Sequence, residues 1–544
     1  MNRNISQQPT PLTGALVGGL LAAPLLAVFY LAAVMIGTPF PPFDLFDWLA
    51  RVLPGSLIRA GINFIVSIIA ALNLEDTSRS AKTAEHILAM ALVAAALVAA
   101  GAVLFALLRR GGSGRLAGAA VGLALGLPLA ALGLVINTSA SALPPISAMW
   151  TAAVFAAWGA ACAWIFARLS AAPSPAAAGT SAAVYVLDRR RFLIQLGGAA
   201  ATLTVAGAGL GALLSRPLPA GDEPEAAAEP GWSDANALPN ADDPLIPAPG
   251  TRPEFTLVRD HYRIDVNSLP PVLNEDDWTL SVFGLVDNPL ELTLADLRGG
   301  YEPLHQFVTL SCISNPVGGD LISTQRWTGV PLRVILDRAK PQINGGYVRI
   351  RSADGFDEIL PITDARQDER IMLVYAWDGL PLPVGHGFPL RIYIPNLYGM
   401  KQPKWIVSLE ITDRYEEGGY WVRKGWDEVA RVKSTAVIDT IAGGDLIQDG
   451  DRTLVPVGGI AFAGSRGISR VEVRVNEGEW QPAQLRAPLS ETTWVIWRYD
   501  WPFQAGHYLF EVRCVDGNGT PQIEEPRDVY PSGATGLHTR RANL

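Results

Sequence analysis

The chain has 544 residues, of which 49% are hydrophobic and only 17% are charged. This composition excludes a wholly disordered protein, because disordered chains are rich in charge and poor in apolar residues. A net charge of −9 argues against a nucleic-acid-binding protein, which would carry a basic face. Three cysteines are too few for a disulfide framework or a cysteine-rich zinc site.

The N-terminal part contains five apolar runs that are long enough to cross a membrane. Each has about 20 residues or more without Asp, Glu, Lys or Arg, which matches a hydrocarbon core of roughly 30 Å. The runs are 13–36, 86–108, 116–135, 146–167 and 192–214. In a sixth segment, 56–72, Arg59 interrupts the run, so this segment either spans the membrane or lies in its interface. We predict an α-helical transmembrane bundle over 1–187.

Basic residues predict the orientation of these helices. Arg3 precedes the first run, three arginines lie within 109–115, and three more occupy 189–191. The positive-inside rule places these clusters in the cytoplasm. We therefore expect a multi-pass protein of the cell membrane, with five crossings and the C-terminal domains on the extracytoplasmic side. A sixth crossing at 56–72 is the alternative.

Residues 188–215 combine the last arginine cluster with the last apolar run. The sequence DRRRFL at 188–193 is typical of a twin-arginine export signal, although an ordinary basic flank has the same residues. The twin-arginine route exports proteins that have already folded around a cofactor. We predict an internal signal that also serves as the last membrane anchor.

Histidines limit the chemistry of the membrane part. His86 is the sole histidine near a span. A bis-histidine haem needs two facing imidazoles, so we predict no haem here. The spans also lack the acidic or lysine pattern of an ion pathway.

Beyond the helices, composition predicts a linker and two globular domains. Residues 216–253 are rich in Pro, Ala, Asp and Glu, which predicts a disordered linker. The domains 254–431 and 432–544 follow, without a GxGxxG or P-loop motif. In the second, 471–475 and 508–514 alternate apolar and polar residues, which is typical of antiparallel sandwich strands. We predict an all-β, immunoglobulin-like sandwich for it.

The middle domain gathers its polar residues in three clusters, at 257–262, 309–315 and 386–405. Cys312 ends an apolar run in the second cluster, where a cysteine serves as a metal ligand, as a nucleophile or as part of the core. The third cluster places basic residues beside a histidine, which suits an anion such as phosphate unless they form a solvated face. They are His386, Arg391, Lys401 and Lys404.

Taken in order, these motifs resemble the sulfite-oxidase-type molybdopterin family. LSCISN at 310–315 and RWTGVPL at 326–332 are similar to the family's cysteine segment and its W-x-G-[VIP]-x-L element. HGFPLR at 386–391 and the KW pair that ends 398–405 are similar to its next two elements. The resemblance covers about 254–544 and, with the membrane module, points to a bacterial membrane-anchored subgroup. It implies an α+β molybdopterin domain in 254–431.

The resemblance also implies roles for individual residues. Cys312 would be the thiolate ligand of molybdenum, which a pyranopterin also holds, and soft sulfur suits such a metal. Arg259 would be catalytic, pointing at the metal and helping to hold an anionic substrate. Asp260 stands where the family has Asn. The residues implied to contact the cofactor are Arg259, Asp260, His261, Asp354, His386, Arg391, Gln402 and Lys404.

Two departures concern the substrate. Pro316 and Val317 stand where sulfite oxidase proper has arginines, and its active-site tyrosine has no clear match in 420–426. Sulfite binding needs converging positive charge, so sulfite itself is doubtful. A reductase of oxidised sulfur, such as a sulfoxide, is an alternative within the family.

The resemblance therefore implies a membrane-anchored molybdopterin-dependent oxidoreductase that transfers oxo groups in two-electron steps. Electrons would pass to or from a separate partner, such as a cytochrome or a quinone-linked subunit. Residues 432–544 resemble the family's dimerisation domain, which implies a homodimer. One alternative is a non-catalytic membrane-tethered binding or assembly module, and the intact Cys312 argues against it. Another is a Cys-His hydrolase, for which no oxyanion-hole signature is visible.

Overall fold

The computed structural model describes residues 8–72, 76–111, 114–137, 142–170, 182–214 and 231–544. The chain divides into two compact units. The helical unit consists of Met1–Leu53, Ser80–Ala220 and Asp265–Val272. The sheet unit consists of Pro54–Arg79, Gly221–Ile264 and Leu273–Leu544.

The N-terminal part of the chain is helical. Its helices are α1 (Pro11–Leu20), α2 (Ala22–Ile36), α3 (Pro41–Val52), α4 (Gly55–Ala71), α5 (Thr77–Arg109), α6 (Gly114–Ile136), α7 (Pro144–Ser170) and α8 (Ala182–Leu214). Five stretches are long and apolar enough to cross a membrane: Pro11–Ile36, Thr77–Arg109, Gly114–Ile136, Pro144–Ser170 and Arg190–Leu213. These match the five predicted runs. The sixth segment forms α4, which belongs to the sheet unit. Its apolar stretch, Gly55–Ile69, is shorter than the five long ones.

Glycines allow the helices of the helical unit to approach closely. A Cβ on Gly118 in α6 would lie 2.3 Å from the carbonyl oxygen of Gly159 in α7, and a Cβ on Gly122 would lie 2.1 Å from that of Phe155. Small residues spaced four apart are the usual means of close packing between apolar helices, where dispersion contacts replace the hydrophobic effect.

A short segment from the predicted middle domain, Asp265–Val272, belongs to the helical unit. Asp47 Oδ1 accepts hydrogen bonds from the backbone N (2.8 Å) and the hydroxyl (2.7 Å) of Ser268. Lys82 Nζ donates to the carbonyl oxygen of Asn267 at 3.1 Å. The predicted boundary at 254 therefore differs from the structure, because these side-chain contacts bind the segment to α3 and α5.

The first part of the sheet unit is mixed α and β. Its strands are β1 (Thr279–Gly284), β2 (Leu290–Thr293), β3 (Leu304–Ser311), β4 (Ile322–Pro331), β5 (Tyr347–Ser352), β6 (Asp357–Pro361), β7 (Met372–Trp377), β8 (Leu380–Pro381), β9 (Arg391–Tyr393) and β10 (Ile406–Thr412). Its helices are α9 (Trp232–Ala235), α10 (Leu294–Gly299), α11 (Leu332–Ala339), α12 (Ile362–Gln367) and α13 (Tyr420–Arg423). One sheet has the order β2-β1-β10-β5-β6, and another has the order β3-β4-β7-β8, with β9 paired to β7. The second sheet carries the cysteine segment and the HGFPLR arginine.

The C-terminal part consists of strands. They are β11 (Thr435–Ile441), β12 (Ile447–Asp449), β13 (Arg452–Phe462), β14 (Ile468–Val475), β15 (Gln481–Pro482), β16 (Gln484–Leu485), β17 (Val495–Pro502), β18 (His507–Asp516) and β19 (His538–Asn543). They form two antiparallel sheets, β11-β13-β17-β16 and β15-β14-β18-β19. Val457 from one sheet and Val473 and Cys514 from the other are buried in a common core. Cys514 is thus a small core residue of this part.

The predicted linker differs from the structure over 231–253. Asn240 Nδ2 donates to the carboxylate of Glu254 and to the carbonyl oxygen of Ala487, both at 2.6 Å. Arg252 forms an ion pair of 2.6 Å with Asp439. Composition predicted disorder because this stretch is poor in apolar residues, but polar contacts fix it to the sheet unit. Residues 215–230 lie outside the described residues.

Candidate active site

Cys312 follows the last residue of β3 directly. Its backbone N donates to the carbonyl oxygen of Leu321 at 2.9 Å, and the Leu321 N donates to Asn315 Oδ1 at 3.0 Å. These bonds close the loop between β3 and β4 and fix the cysteine at its start. The Cys312 side chain is buried, with Sγ 3.0 Å from the hydroxyl oxygen of Ser314.

Burial raises the pKa of the Cys312 thiol, although hydrogen bonds from Ser314 and Ile313 partly offset the effect. A nucleophilic cysteine needs the opposite shift, which neighbouring positive charge or a helix N-terminus provides. A soft metal ion would displace the proton outright. The surroundings of Cys312 therefore favour a metal ligand over the nucleophile of a hydrolase.

Two histidines and a tryptophan form a buried aromatic group in the same region. The ring centre of His261 lies 4.4 Å from that of Trp377 and 5.3 Å from that of His386. The ring centres of Trp377 and His386 are 4.7 Å apart. Trp377 and Cys312 belong to one buried cluster, which Trp327 also joins. The fold thus gathers residues that lie far apart in the sequence.

Arg391, at the start of β9, is 3% exposed. Its Nη1 donates to the carbonyl oxygen of His386 at 3.0 Å, and its Cζ lies 4.6 Å from the ring centre of Trp327 and 5.2 Å from that of Trp377. Stacking on indole rings holds the guanidinium in one orientation. Such an arginine is preorganised to bind an anion.

Lys404 supplies a second positive charge. Its Nζ donates to the carbonyl oxygen of Gly385 at 3.1 Å and to that of Ile264 at 3.3 Å. Gly387 has φ +114°, and a Cβ there would lie 3.1 Å from the Cβ atoms of both Arg391 and Lys404. The glycine of the HGFPLR motif is therefore required by its backbone conformation and by the close approach of the two cations.

The electrostatics of this group favour an anionic ligand. The pKa of His261 is lowered to about 3, mainly by burial and to a smaller extent by the charges of Arg391 and Lys404. Burial also holds the pKa of His386 well below its usual value, with contributions from His261 and Lys404. Both imidazoles are therefore neutral at pH 7.

Buried polar atoms test whether a pterin fits here. Nε2 of His261 and Oε1 of Gln402 are buried and have no hydrogen-bond partner among the described residues. His261 Nδ1 lies 3.0 Å from the carbonyl oxygen of Tyr262, so it donates, and Nε2 of the neutral ring is an acceptor. Gln402 Nε2 donates to the carbonyl oxygens of Ile394 and Leu397. Both acceptors fit a ligand with N–H or O–H donors, which a pterin has.

The described residues contain no group of three or more His, Cys, Asp or Glu side chains that could hold a metal ion.

The three other predicted residues have different surroundings. The side chains of Arg259 and Asp260 are 74% and 56% exposed, with 3.8 Å between Arg259 Nε and the Asp260 carboxylate. Asp354 is buried at the β5–β6 turn, where its Oδ1 accepts from the backbone N of Phe356 at 3.0 Å. The neighbouring Ala353 N donates to the carbonyl oxygen of Trp405 at 2.8 Å. Their contacts with the cofactor and the catalytic role of Arg259 stay predictions.

Sequence reasoning missed the two indoles and misassigned one lysine. Trp327 and Trp377 lie in β4 and β7, and only the fold shows that both indoles support Arg391. Lys401, grouped with the basic residues from the sequence, is buried and forms an ion pair of 2.6 Å with Glu358. It is therefore a structural residue beside the site.

Comparison with known proteins agrees with this geometry. Residues 267–421 match the family model of the oxidoreductase molybdopterin binding domain. The chain is 33% identical over 151 residues to the uncharacterized oxidoreductase YuiH of Bacillus subtilis, covering 27% of this chain and 72% of the relative. It is 27% identical to human mitochondrial sulfite oxidase, covering 46% of this chain and 53% of that protein.

The NADPH nitrate reductase of Fusarium oxysporum is also 27% identical, over 42% of this chain and 30% of that enzyme. The chain thus spans less than a third of the nitrate reductase and about half of sulfite oxidase. The match to the Bacillus protein is different, because it covers most of that relative's length. The chain belongs to the sulfite-oxidase-type family of molybdopterin-binding oxidoreductases.

Proposed function

We propose that the chain is a membrane-anchored molybdopterin-dependent oxidoreductase that performs two-electron oxo transfer on a small substrate. The observation that carries the proposal is the pair of orphaned buried acceptors, His261 Nε2 and Gln402 Oε1, beside the stacked guanidinium of Arg391. Buried polar groups in native proteins are usually hydrogen-bonded to protein, water or a ligand. A pterin with an anionic phosphate supplies both the donors and the negative charge.

Each residue of the site would have its own role in holding the cofactor. Cys312 would provide the protein's thiolate to molybdenum, and the bound centre supplies the two-electron chemistry. His261 and Gln402 would accept hydrogen bonds from the pterin, while Arg391, Lys404 and His386 would hold its phosphate end. By resemblance, Arg259 would help to hold the substrate, and Asp260 and Asp354 would contact the pterin.

The surroundings of the cysteine loop bear on the substrate. Gly318, in the loop after Cys312, packs against the imidazole of His538, where a Cβ would lie 2.4 Å from Nε2. Burial lowers the pKa of His538, and its Nδ1 accepts from the backbone N of Ile438 at 3.1 Å. A neutral ring therefore stands near the loop in which sulfite oxidase proper has arginines. This supports a weakly charged sulfur compound, such as a sulfoxide, over sulfite.

The helices support a membrane anchor. The basic clusters of the sequence favour an extracytoplasmic catalytic domain, and DRRRFL at 188–193 lies within α8. Asp265–Val272 packs in the helical unit against α3 and α5. We further propose that 432–544 is an immunoglobulin-like domain that forms homodimers, and that a separate cytochrome or quinone-linked subunit exchanges electrons with the enzyme.

Oxo-transfer assays test the proposal in both directions. The full chain, purified from cells grown with molybdate, is assayed with sulfite and ferricyanide, and with sulfoxide or nitrate and a reduced viologen. We expect turnover in one direction, lost in protein from cells grown with tungstate. Equal turnover with either metal, or none in protein shown to contain molybdenum and pterin, would contradict it.

A further inference from the structure

The helical unit contains a cavity of about 550 Å³ that the proposed reaction does not use. It lies along α2 and borders the residue that follows α6, the first half of α5 and the second half of α8. Leu269 and Pro270 of the Asp265–Val272 segment also line it. Its volume is in the range of small-molecule sites.

The cavity has an apolar body and a polar end. Ala27 and Ala33 of α2 and Ala208 of α8 line the body. Tyr30, Thr38, His86, Asn137 and Thr204 contribute polar side chains, and the Thr204 hydroxyl donates to the carbonyl oxygen of Ala200 at 2.8 Å. None of the described lining residues is Asp, Glu, Lys or Arg, so the walls offer no countercharge for a phospholipid head group. The occupant should have a long apolar part and an uncharged polar head.

One polar atom of this wall lacks a partner. Thr38 is 4% exposed, and its hydroxyl oxygen makes no hydrogen bond to any described residue. A buried hydroxyl without a partner is costly, so it indicates a ligand that can hydrogen-bond at this end. An acyl chain alone could not hydrogen-bond to this hydroxyl, so the free-energy cost of burying it would remain.

His86 and Asn137 are held in fixed orientations. His86 Nε2 lies 3.0 Å from the carbonyl oxygen of Ser268, so Nε2–H donates, and its ring stacks on Phe43 with 4.4 Å between centres. Asn137 Nδ2 donates to Asp44 Oδ1 at 2.7 Å. Aromatic rings from Phe40 and Phe43, 4.8 Å apart, stand beside these groups.

We propose that this cavity binds the ring of a lipid-soluble quinone or quinol, with its oxygens toward Thr38, His86 and Asn137 and its isoprenoid tail along α2 and α8. A quinone has the required features: a flat uncharged ring, oxygens that accept or donate hydrogen bonds, and an apolar tail. The inference rests on the proposed function in one respect, because a quinone would take up or supply the two electrons of the proposed reaction. His86 is the sole histidine before residue 261, so paired histidine ligands for haem are absent from that stretch.

Binding of decylbenzoquinone to the full chain in detergent, measured by equilibrium dialysis, tests the proposal. Decylbenzene, which has the tail but no ring oxygens, is the matched probe. We expect saturable quinone binding, and binding about fivefold weaker in Thr38→Val, as the loss of one buried hydrogen bond predicts. Thr151→Val is the control, because Thr151 is equally buried in α7 but bonds to the Ser147 carbonyl oxygen at 3.0 Å.

A second variant keeps the proposal testable if Thr38→Val fails to fold. Ala208→Phe fills the cavity from α8 and should abolish binding. Equal affinity for both probes would overturn the proposal and indicate a lipid-tail cavity, as would unchanged affinity in Thr38→Val and Ala208→Phe. Cys312→Ser should bind decylbenzoquinone normally, so the quinone site and the molybdenum site can fail independently.

Discussion

The buried ion pair between Glu358 and Lys401 offers a strong test of how the site is supported. The two side chains are 0% and 6% exposed, with 2.6 Å between Oε1 and Nζ. Glu358 lies on β6, and Lys401 ends the short helical turn that precedes Gln402 and Lys404. Glu358→Gln keeps the shape but leaves the ammonium group of Lys401 buried without a countercharge.

Removing one partner of a buried pair costs about 3–5 kcal/mol, because the remaining charge stays desolvated. Total stability is about 5–15 kcal/mol for a typical domain, so the loss is a large fraction of it. Replacing both partners, as in Glu358→Gln with Lys401→Met, removes the desolvated charge. We expect the double variant to recover most of the loss.

Denaturant unfolding of the full chain in detergent, followed by tryptophan fluorescence, measures this difference. Molybdenum content should fall in Glu358→Gln, because the turn positions Gln402 and Lys404. Asp449→Asn is the control, since its ion pair with Arg452 is exposed, and we expect a change within about 0.5 kcal/mol. A change below about 1 kcal/mol in Glu358→Gln, or a double variant as unstable as the single one, would refute the reasoning.

Three further predictions follow from the site and from the helical unit. His261→Phe keeps a ring against Trp377 but removes the orphaned acceptor, so pterin released from the purified protein should fall severalfold while the melting temperature changes little. Arg259→Ala should lower turnover without lowering molybdenum content, because the side chain is 74% exposed and its predicted partner is the substrate; an equal loss of metal would contradict that role. Burial raises the pKa of Asp44 from 3.8 to about 7, so the folded state binds this proton more tightly than the unfolded state does. The stabilising effect of this proton is present below about pH 4 and is lost as the pH rises through about 7. The free energy of unfolding, measured at several pH values, should therefore vary with pH by up to about 4 kcal/mol less in Asp44→Asn than in the native protein. An unchanged pH dependence in the variant would contradict the assignment.

Local features of the sequence predicted part of the architecture well. The five long apolar helices follow from run length and hydropathy, which need no knowledge of contacts. The HGFPLR and KW segments place His386, Arg391 and Lys404 close in the sequence, and the fold keeps them close in space. The sequence places Cys312 at the end of an apolar strand, and β3, which ends at Ser311, confirms that position.

Features that depend on distant contacts were not predictable in this way. Lys401 looked like a phosphate ligand because Glu358, its partner, lies 43 residues away. The composition of 231–253 predicted disorder, whereas Arg252 pairs with Asp439, 187 residues further on. The stacking of Arg391 on Trp327 and Trp377 has no local signal, because both tryptophans lie in ordinary buried strands.

The central claim is that Cys312 holds a molybdenum–pterin centre, and metal analysis tests it most directly. The full chain is purified from a molybdenum-replete host, and molybdenum and pterin are measured per chain in the native protein, in Cys312→Ser and in Cys514→Ser. Cys514 is the control because it is buried in the C-terminal core. We predict about one molybdenum per chain in the native protein and in Cys514→Ser, with a clear loss of metal or of activity in Cys312→Ser. Well-folded native protein without molybdenum, or full metal content and activity in Cys312→Ser, would contradict the account.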